Sequence, residues 1–222
     1  MRQVFEEELD LLHTYFLEMG KMVNKAVYKS VNAFTNHDKQ LALQVVEEDY
    51  LINQRDQKLE EFCIELIALQ QPVTSDLRKI ITVMKAKTDL ERIGDHAVSI
   101  SKATIRVKGQ KREAEIEIQL VELADLVKES LEDVLVAYLE GNVDKARTIA
   151  LKDKNVNQKS KHILNLCIER MKQDTEIVFG ATDYMRVAGY LERIGDYVTN
   201  ICEWIIYLKT GKMLELNMKN VK

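Results

Sequence analysis

The chain has 222 residues, 46% of them apolar and 6% aromatic, with one proline, eight glycines and a formal net charge of −4. So few helix breakers and aromatics exclude a sheet protein, and so large an apolar fraction excludes a disordered one, which leaves long helices. Lys and Arg are spread along the chain, excluding the concentrated basic face that nucleic-acid binding needs.

Met1 leads directly into Arg2 and the acidic stretch Glu6-Glu7-Glu8, which predicts no signal peptide, and no apolar run approaches the roughly 20 residues that cross a bilayer. A cytoplasmic chain without direct membrane insertion is expected. The first helix is predicted over about residues 3 to 35, ended by a turn at Asn36-His37-Asp38 in which Asp38 caps the second helix. That second helix carries Leu41, Val45, Ile52, Leu59, Cys63, Leu66 and Ile67 at helical spacing and ends near Gln70. Pro72 and Ser75 mark a break. A third helix starts at Ser75 or Asp76, with Ile80, Val83, Leu90, Ile93, Ala97 and Ile100 on its apolar stripe. Gly109 and the charged residues around it read as a linker, and the basic run from Lys102 to Arg112 as a solvated helix end. From Glu113 the pattern recurs: a fourth helix to about Glu140, a turn at Gly141-Asn142, a fifth helix to about Asp174 and a sixth from about Val178 to Leu208, stopped by Gly211. Long helices joined by short turns run antiparallel. The expected fold is therefore all-α, two tandem, pseudo-symmetric three-helix bundles over residues 1–108 and 109–222.

An internal repeat supports the two halves. Leu90-Glu91-Arg92-Ile93-Gly94-Asp95 recurs intact as Leu191-Glu192-Arg193-Ile194-Gly195-Asp196, an offset of 192 − 91 = 101 residues. Upstream, Asp49, Ile52-Asn53-Gln54 and Cys63 match Asp153, Val156-Asn157-Gln158 and Cys167 at 153 − 49 = 104. The register shift of 104 − 101 = 3 residues belongs in a connection, so the link near Thr175 to Gly180 should be tighter than the one at Gln70 to Ser75. Cys63, Cys167 and Cys202 form neither a disulfide framework nor a C-x-x-C pair, and the first two read as core thiols.

Each hexapeptide places two carboxylates four apart on one helix face, Glu91 with Asp95 and Glu192 with Asp196. Like charges there are unfavourable by a few tenths of a kcal/mol, and a mid-helix glycine costs about 1 kcal/mol relative to alanine. Gly94 and Gly195 would admit a close neighbour, and the carboxylates would be relieved by a cation or by Arg and Lys from an adjacent helix. If Asp49 and Asn53 face the first motif, and Asp153 and Asn157 the second, each half gathers hard oxygen ligands suited to magnesium, manganese, calcium or oxidised iron. A ferritin-like di-iron site is excluded, because no His has a Glu three residues before it. His96, next to Asp95, is at most a peripheral ligand. In the second copy the polar stripe runs on to Asn200 and Glu203, so the two sites should differ.

With both motifs in place, the chain resembles the PhoU family over about residues 3 to 212. The stretches Leu69-Gln70-Gln71-Pro72-Val73-Thr74-Ser75-Asp76-Leu77-Arg78 and Asp89-Leu90-Glu91-Arg92-Ile93-Gly94-Asp95-His96-Ala97 carry the resemblance most strongly. It implies a non-enzymatic cytoplasmic regulator that couples a phosphate ABC transporter, through its ATPase, to a sensor histidine kinase and restrains uptake and starvation genes when phosphate is plentiful. It also implies iron or zinc at the acidic motifs, with manganese or magnesium as alternatives, and a homodimer. Carried over residue by residue, the metal ligands are Glu91, Asp95, Glu192 and Asp196, supported by Asp49, Asn53, Asp153 and Asn157. Tyr197, where the family often has His, and the uncharged Asn53 and Asn157 depart from the pattern. Two other readings fit the residues: a metal-dependent phosphatase, and a metal-free helical scaffold whose acidic stripes dock basic partners.

Overall fold

The computed structural model describes residues 2–106 and 111–216, and the Gly109 linker lies outside the described residues. Six long helices follow in order: α1 (Arg2–Thr35), α2 (Lys39–Gln70), α3 (Thr74–Arg106), α4 (Ala114–Glu140), α5 (Val143–Gln173) and α6 (Val178–Thr210), with a 3₁₀ turn at Thr175–Ile177. No strand occurs among the described residues, and none of the helices is long and apolar enough to cross a membrane. The expected all-α bundle is what forms.

The helix ends follow their local chemistry. The Asp38 carboxylate accepts from the Leu41 amide at 2.9 Å, and Asn142 does the same for Lys145 at 3.0 Å, each satisfying an amide that the helix start leaves open. Gly141 (φ 57°) and Gly211 (φ 71°) end α4 and α6 in the left-handed region, where a side chain would be strained. The register shift also has its place. Three residues, 71–73, separate α2 from α3, whereas Asp174 alone separates α5 from the 3₁₀ turn, and α5 stops one repeat position earlier than α2. The second link is the tighter one.

Helices α1, α2 and α3 pack on one another, as do α4, α5 and α6, and the halves join through α3 against α6 and α1 against α4. Among the described residues α2 and α5 touch only their own half. Equivalent helices thus pair across a pseudo-two-fold axis, and a single apolar cluster runs through both halves. Gly20 of α1 permits the α1/α4 approach, since a Cβ there would sit 2.4 Å from Leu135 Cδ2. Cys63 and Cys167 lie fully buried in this core, and burial pushes their thiols up to about 12 and about 11. At the junction the Arg106 guanidinium lies 2.5 Å from the buried Asp183 carboxylate, tying the end of α3 to α6.

Candidate metal centre

The buried seam of α2 has two rows. Val45, Ile52, Leu59 and Leu66 fill one, and Ala42, Asp49, Asp56 and Cys63 the other, so two carboxylates occupy inward positions of a seven-residue repeat. Helix α5 repeats this with Ala146, Asp153, Ser160 and Cys167. Opposite Asp49 stands Gly94: a Cβ there would lie 3.4 Å from Ile52 Cδ1 and 3.9 Å from Asp49 Oδ1. Opposite Asp153 stands Gly195, where a Cβ would come within 2.8 Å of Asp153 Oδ1 and 3.2 Å of Val156 Cγ1. The mid-helix glycines therefore make room for an acidic side chain from the facing helix.

The predicted site residues come together in part. Asn53 Nδ2 donates to Asp49 Oδ2 at 3.1 Å and Asn157 Nδ2 to Asp153 Oδ2 at 2.7 Å, so both asparagines orient a seam aspartate. Burial raises the Asp49 carboxyl above its ordinary value, and the charge of Asp95 raises it further. Glu91 is raised by burial and then by Asp95, Asp56 and Asp49. These carboxylates share one field. Among the described residues no Lys or Arg lies within ion-pair distance of Asp49, Glu91 or Asp95; the charge of Lys102 offsets the rise of Asp49 in part, and that of Arg92 the rise of Glu91. In the second half Ser160 Oγ donates to Glu192 Oε2 at 2.7 Å, and the buried Asn157 Oδ1 has no hydrogen-bond partner. Asp196 lies half-buried one turn beyond Glu192.

As the side chains stand, no three of His, Cys, Asp and Glu among the described residues close around a common point. Each seam aspartate is engaged by its own asparagine, and Glu192 by Ser160. The donor chemistry nevertheless suits a hard cation. In the first half the oxygens of Asp49 and Glu91 are partly desolvated and feel the charge of Asp95, and in the second half Asn157 offers a buried amide oxygen.

Other candidates serve elsewhere. Asn200 donates to Asp89 Oδ1 at 3.1 Å across the α3/α6 junction, and Glu203 accepts from the Leu216 amide at 2.6 Å, so neither prolongs the acidic stripe. His96 is half-buried and stacked between Tyr190 and Tyr197, with ring centroids 5.6 and 5.8 Å away. Burial, then the Arg193 charge, lowers its pKa. His96 and Tyr197 occupy equivalent positions, 197 − 96 = 101, so the residue after each motif meets its counterpart at the junction.

Two elements were not singled out from the sequence. Lys87, almost fully buried on α3, reaches Asp56 at 2.9 Å and Glu60 at 2.9 Å. Its repeat counterpart is Ala188 (188 − 87 = 101), and those of Asp56 and Glu60 are Ser160 and Leu164 (160 − 56 = 164 − 60 = 104), so the second half replaces the whole charged triad by neutral residues. Asp89, buried on α3, accepts from Asn200 and from Trp204 Nε1 at 3.1 Å. The sequence signal for the first was a lysine four residues before Glu91, on the same face.

The chain matches the PhoU domain over residues 16–104 and 120–205, one match per half. It belongs to the PhoU family. It is 41% identical over 217 residues to the phosphate-specific transport system accessory protein PhoU homolog of Clostridium acetobutylicum, covering 97% of this chain and 99% of that one. The Escherichia coli phosphate-specific transport system accessory protein PhoU is 32% identical over 94% of this chain and 86% of its own length. The crystal structure of the phosphate transport system regulatory protein PhoU from Streptococcus pneumoniae superposes with a TM-score of 0.89 at 36% identity, covering 95% of this chain and 99% of that one.

The two glycines of the PhoU repeat separate cleanly in their expected response to substitution. Gly94→Ala should be neutral or slightly stabilising, because the added methyl only touches Ile52 and the helix gains up to about 1 kcal/mol of propensity. Gly195→Ala should lower stability by about 1 kcal/mol, since Asp153 is buried, held by Asn157 and must shift. Urea unfolding of both variants gives the comparison, and equal effects would contradict the unequal gaps.

Proposed function

We propose that this chain is a cytoplasmic, non-enzymatic accessory protein that restrains a phosphate-specific ABC transporter and phosphate-starvation signalling through contacts with the transporter ATPase and a sensor histidine kinase. Relatives sharing 41% and 32% of its residues carry names in phosphate-specific transport, which supports a role in regulating phosphate transport. In this reading the acidic motifs bind a metal ion. The observation that carries it is that Asp49, Glu91 and Asp95 come together from two helices, the charge of Asp95 raising the carboxyls of both Asp49 and Glu91, with no ion pair to Lys or Arg at any of the three among the described residues. Glu192, Asp196, Asp153 and Asn157 are the corresponding ligands of the second half.

Asp49 on α2 with Glu91 and Asp95 on α3, and Asp153 on α5 with Glu192 and Asp196 on α6, would hold a cation, which would supply positive charge against their mutual repulsion. The protein's own residues do the rest: Asn53 and Asn157 orient the seam aspartates, and Gly94 and Gly195 keep the helices close. Iron or zinc follows from the family, and manganese or magnesium suits the oxygen donors.

Glu91→Gln with Asp95→Asn should reduce metal per chain while the helical circular dichroism persists, because both side chains are partly or fully exposed. Elemental analysis of the purified protein measures this, and unchanged stoichiometry would sink the metal reading. For the regulatory role, deleting the gene in phosphate-replete cells should raise phosphate uptake and transporter expression. Unaltered uptake after deletion, in a host with no second copy, would count against it.

A further inference from the structure

Far from the acidic motifs, a cleft of about 620 Å³ opens where the first turn of α3 meets α1 and the ends of α4 and α6. Its polar lining includes Arg78, Lys79 and Lys209 against a single carboxylate, Asp10, in a chain whose net charge is −4. Lys79 is held by Asp76 at 3.0 Å. Arg78 and Lys209 make no ion pair among the described residues.

Both cations are laid in place by glycines. A Cβ on Gly211 would sit 2.7 Å from Arg78 Nη2, and one on Gly141 would sit 2.1 Å from Lys209 Cε. The Arg78 guanidinium also lies 5.8 Å from the centre of the Tyr207 ring. The carboxyl-terminal ends of α4 and α6, the negative ends of their helix dipoles, favour cations here, while the amino-terminal end of α3 adds positive potential from the other side. His13 lines the same space and bonds Tyr138 Oη at 2.5 Å. Its pKa is lowered by burial and then by the Lys79 charge, so the ring is neutral at pH 7 and adds a polar contact without a second charge to repel. Leu17, Leu139 and Leu208 give the remaining wall an apolar character.

We propose that this cleft binds a phosphorylated small molecule of nucleotide size, its phosphoryl oxygens on Arg78 and Lys209 and its body against the leucines. The volume falls in the range of clefts that enclose drug-sized ligands and is larger than one inorganic anion needs. A planar guanidinium and an ammonium lining one cleft are groups that phosphate recognition favours. Because α1 and α3 supply one side and α4 and α6 the other, the ligand bridges the two halves. The site is independent of the metal reading and stands or falls without it.

Calorimetric titration of the full chain in excess chelator with ATP, AMP, inorganic phosphate and adenosine tests this, the chelator removing any metal-mediated route to the acidic motifs. ATP or AMP should bind saturably, and Arg78→Gln with Lys209→Gln should weaken that binding by about tenfold or more, as expected for loss of charged hydrogen bonds. Asp95→Asn should leave it unchanged. Leu139→Glu, at a side chain 68% exposed, places a carboxylate at the cleft mouth and should weaken binding without affecting the thermal midpoint. Four outcomes overturn the proposal: no binding by any of the phosphates, binding unaffected by the double variant, adenosine binding as well as AMP, or inorganic phosphate binding as well as both nucleotides.

Discussion

Lys87→Met should lower the unfolding free energy by about 3 kcal/mol, because it leaves Asp56 in the α2/α3 seam without its cation. Burial opposes the lysine's charge, but its hydrogen bonds to Asp56 and Glu60 outweigh this and raise its pKa. The methionine replaces the aliphatic stem and removes only the ammonium, so the loss reports the uncompensated carboxylates and not a cavity. The second half supplies the rescue. Lys87→Ala with Asp56→Ser installs the pair found at Ala188 and Ser160, and should recover most of the stability that Lys87→Ala alone loses. A double-mutant cycle by urea denaturation decides it; a Lys87→Met variant within about 0.5 kcal/mol of the parent would show that Asp56 is served well enough by solvent.

The second large effect is a pH dependence centred on Asp89. Burial pushes its carboxyl from 3.8 up to about 6, against the hydrogen bonds from Asn200 and Trp204, which favour the charged form. The folded chain therefore holds this proton more tightly than the unfolded chain does. Asp89's contribution to stability is greatest below pH 3.8, falls as pH rises from 3.8 through about 6, and is flat above that. The shift corresponds to about 3 kcal/mol. Other carboxylates titrate in the same window, so the clean quantity is the stability difference between the parent and Asp89→Asn, which should move against the parent by about that amount from pH 4 to pH 7. Trp204 is the chain's single tryptophan and donates to Asp89, so its fluorescence should titrate near pH 6 in the folded parent and not in the variant. Identical titration curves in the two proteins would remove Asp89 as the responsible group.

The fold was largely legible because its signals are local. Asp38, Asn142, Gly141 and Gly211 mark helix ends through backbone chemistry that needs no tertiary context, and the seven-residue recurrence of apolar side chains fixes the inward faces. The three-residue shift in the repeat even located the tighter link. Pairing between halves was another matter. Where α3 meets α6, Asp89 accepts from Asn200 and Trp204, more than a hundred residues away, and no periodicity in either helix announces that pairing. Of the candidate ligands, Asp49 and Asp153 were legible as matched positions of the repeat, whereas their place opposite Gly94 and Gly195 is set by how the helices pack. Lys87 was hidden for the opposite reason: a lysine on a long helix ordinarily reads as solvent-facing, and only its partners on α2 explain its burial.

The stacking of His96 on Tyr197 shows what covalent linkage of the halves permits. These are equivalent positions of the repeat, and each meets its counterpart where α3 packs on α6. Two identical subunits paired about a two-fold axis must set a residue at such a position against its own copy. A single chain carrying both halves is under no such demand, so an imidazole can face a phenol and the junction is asymmetric at its centre.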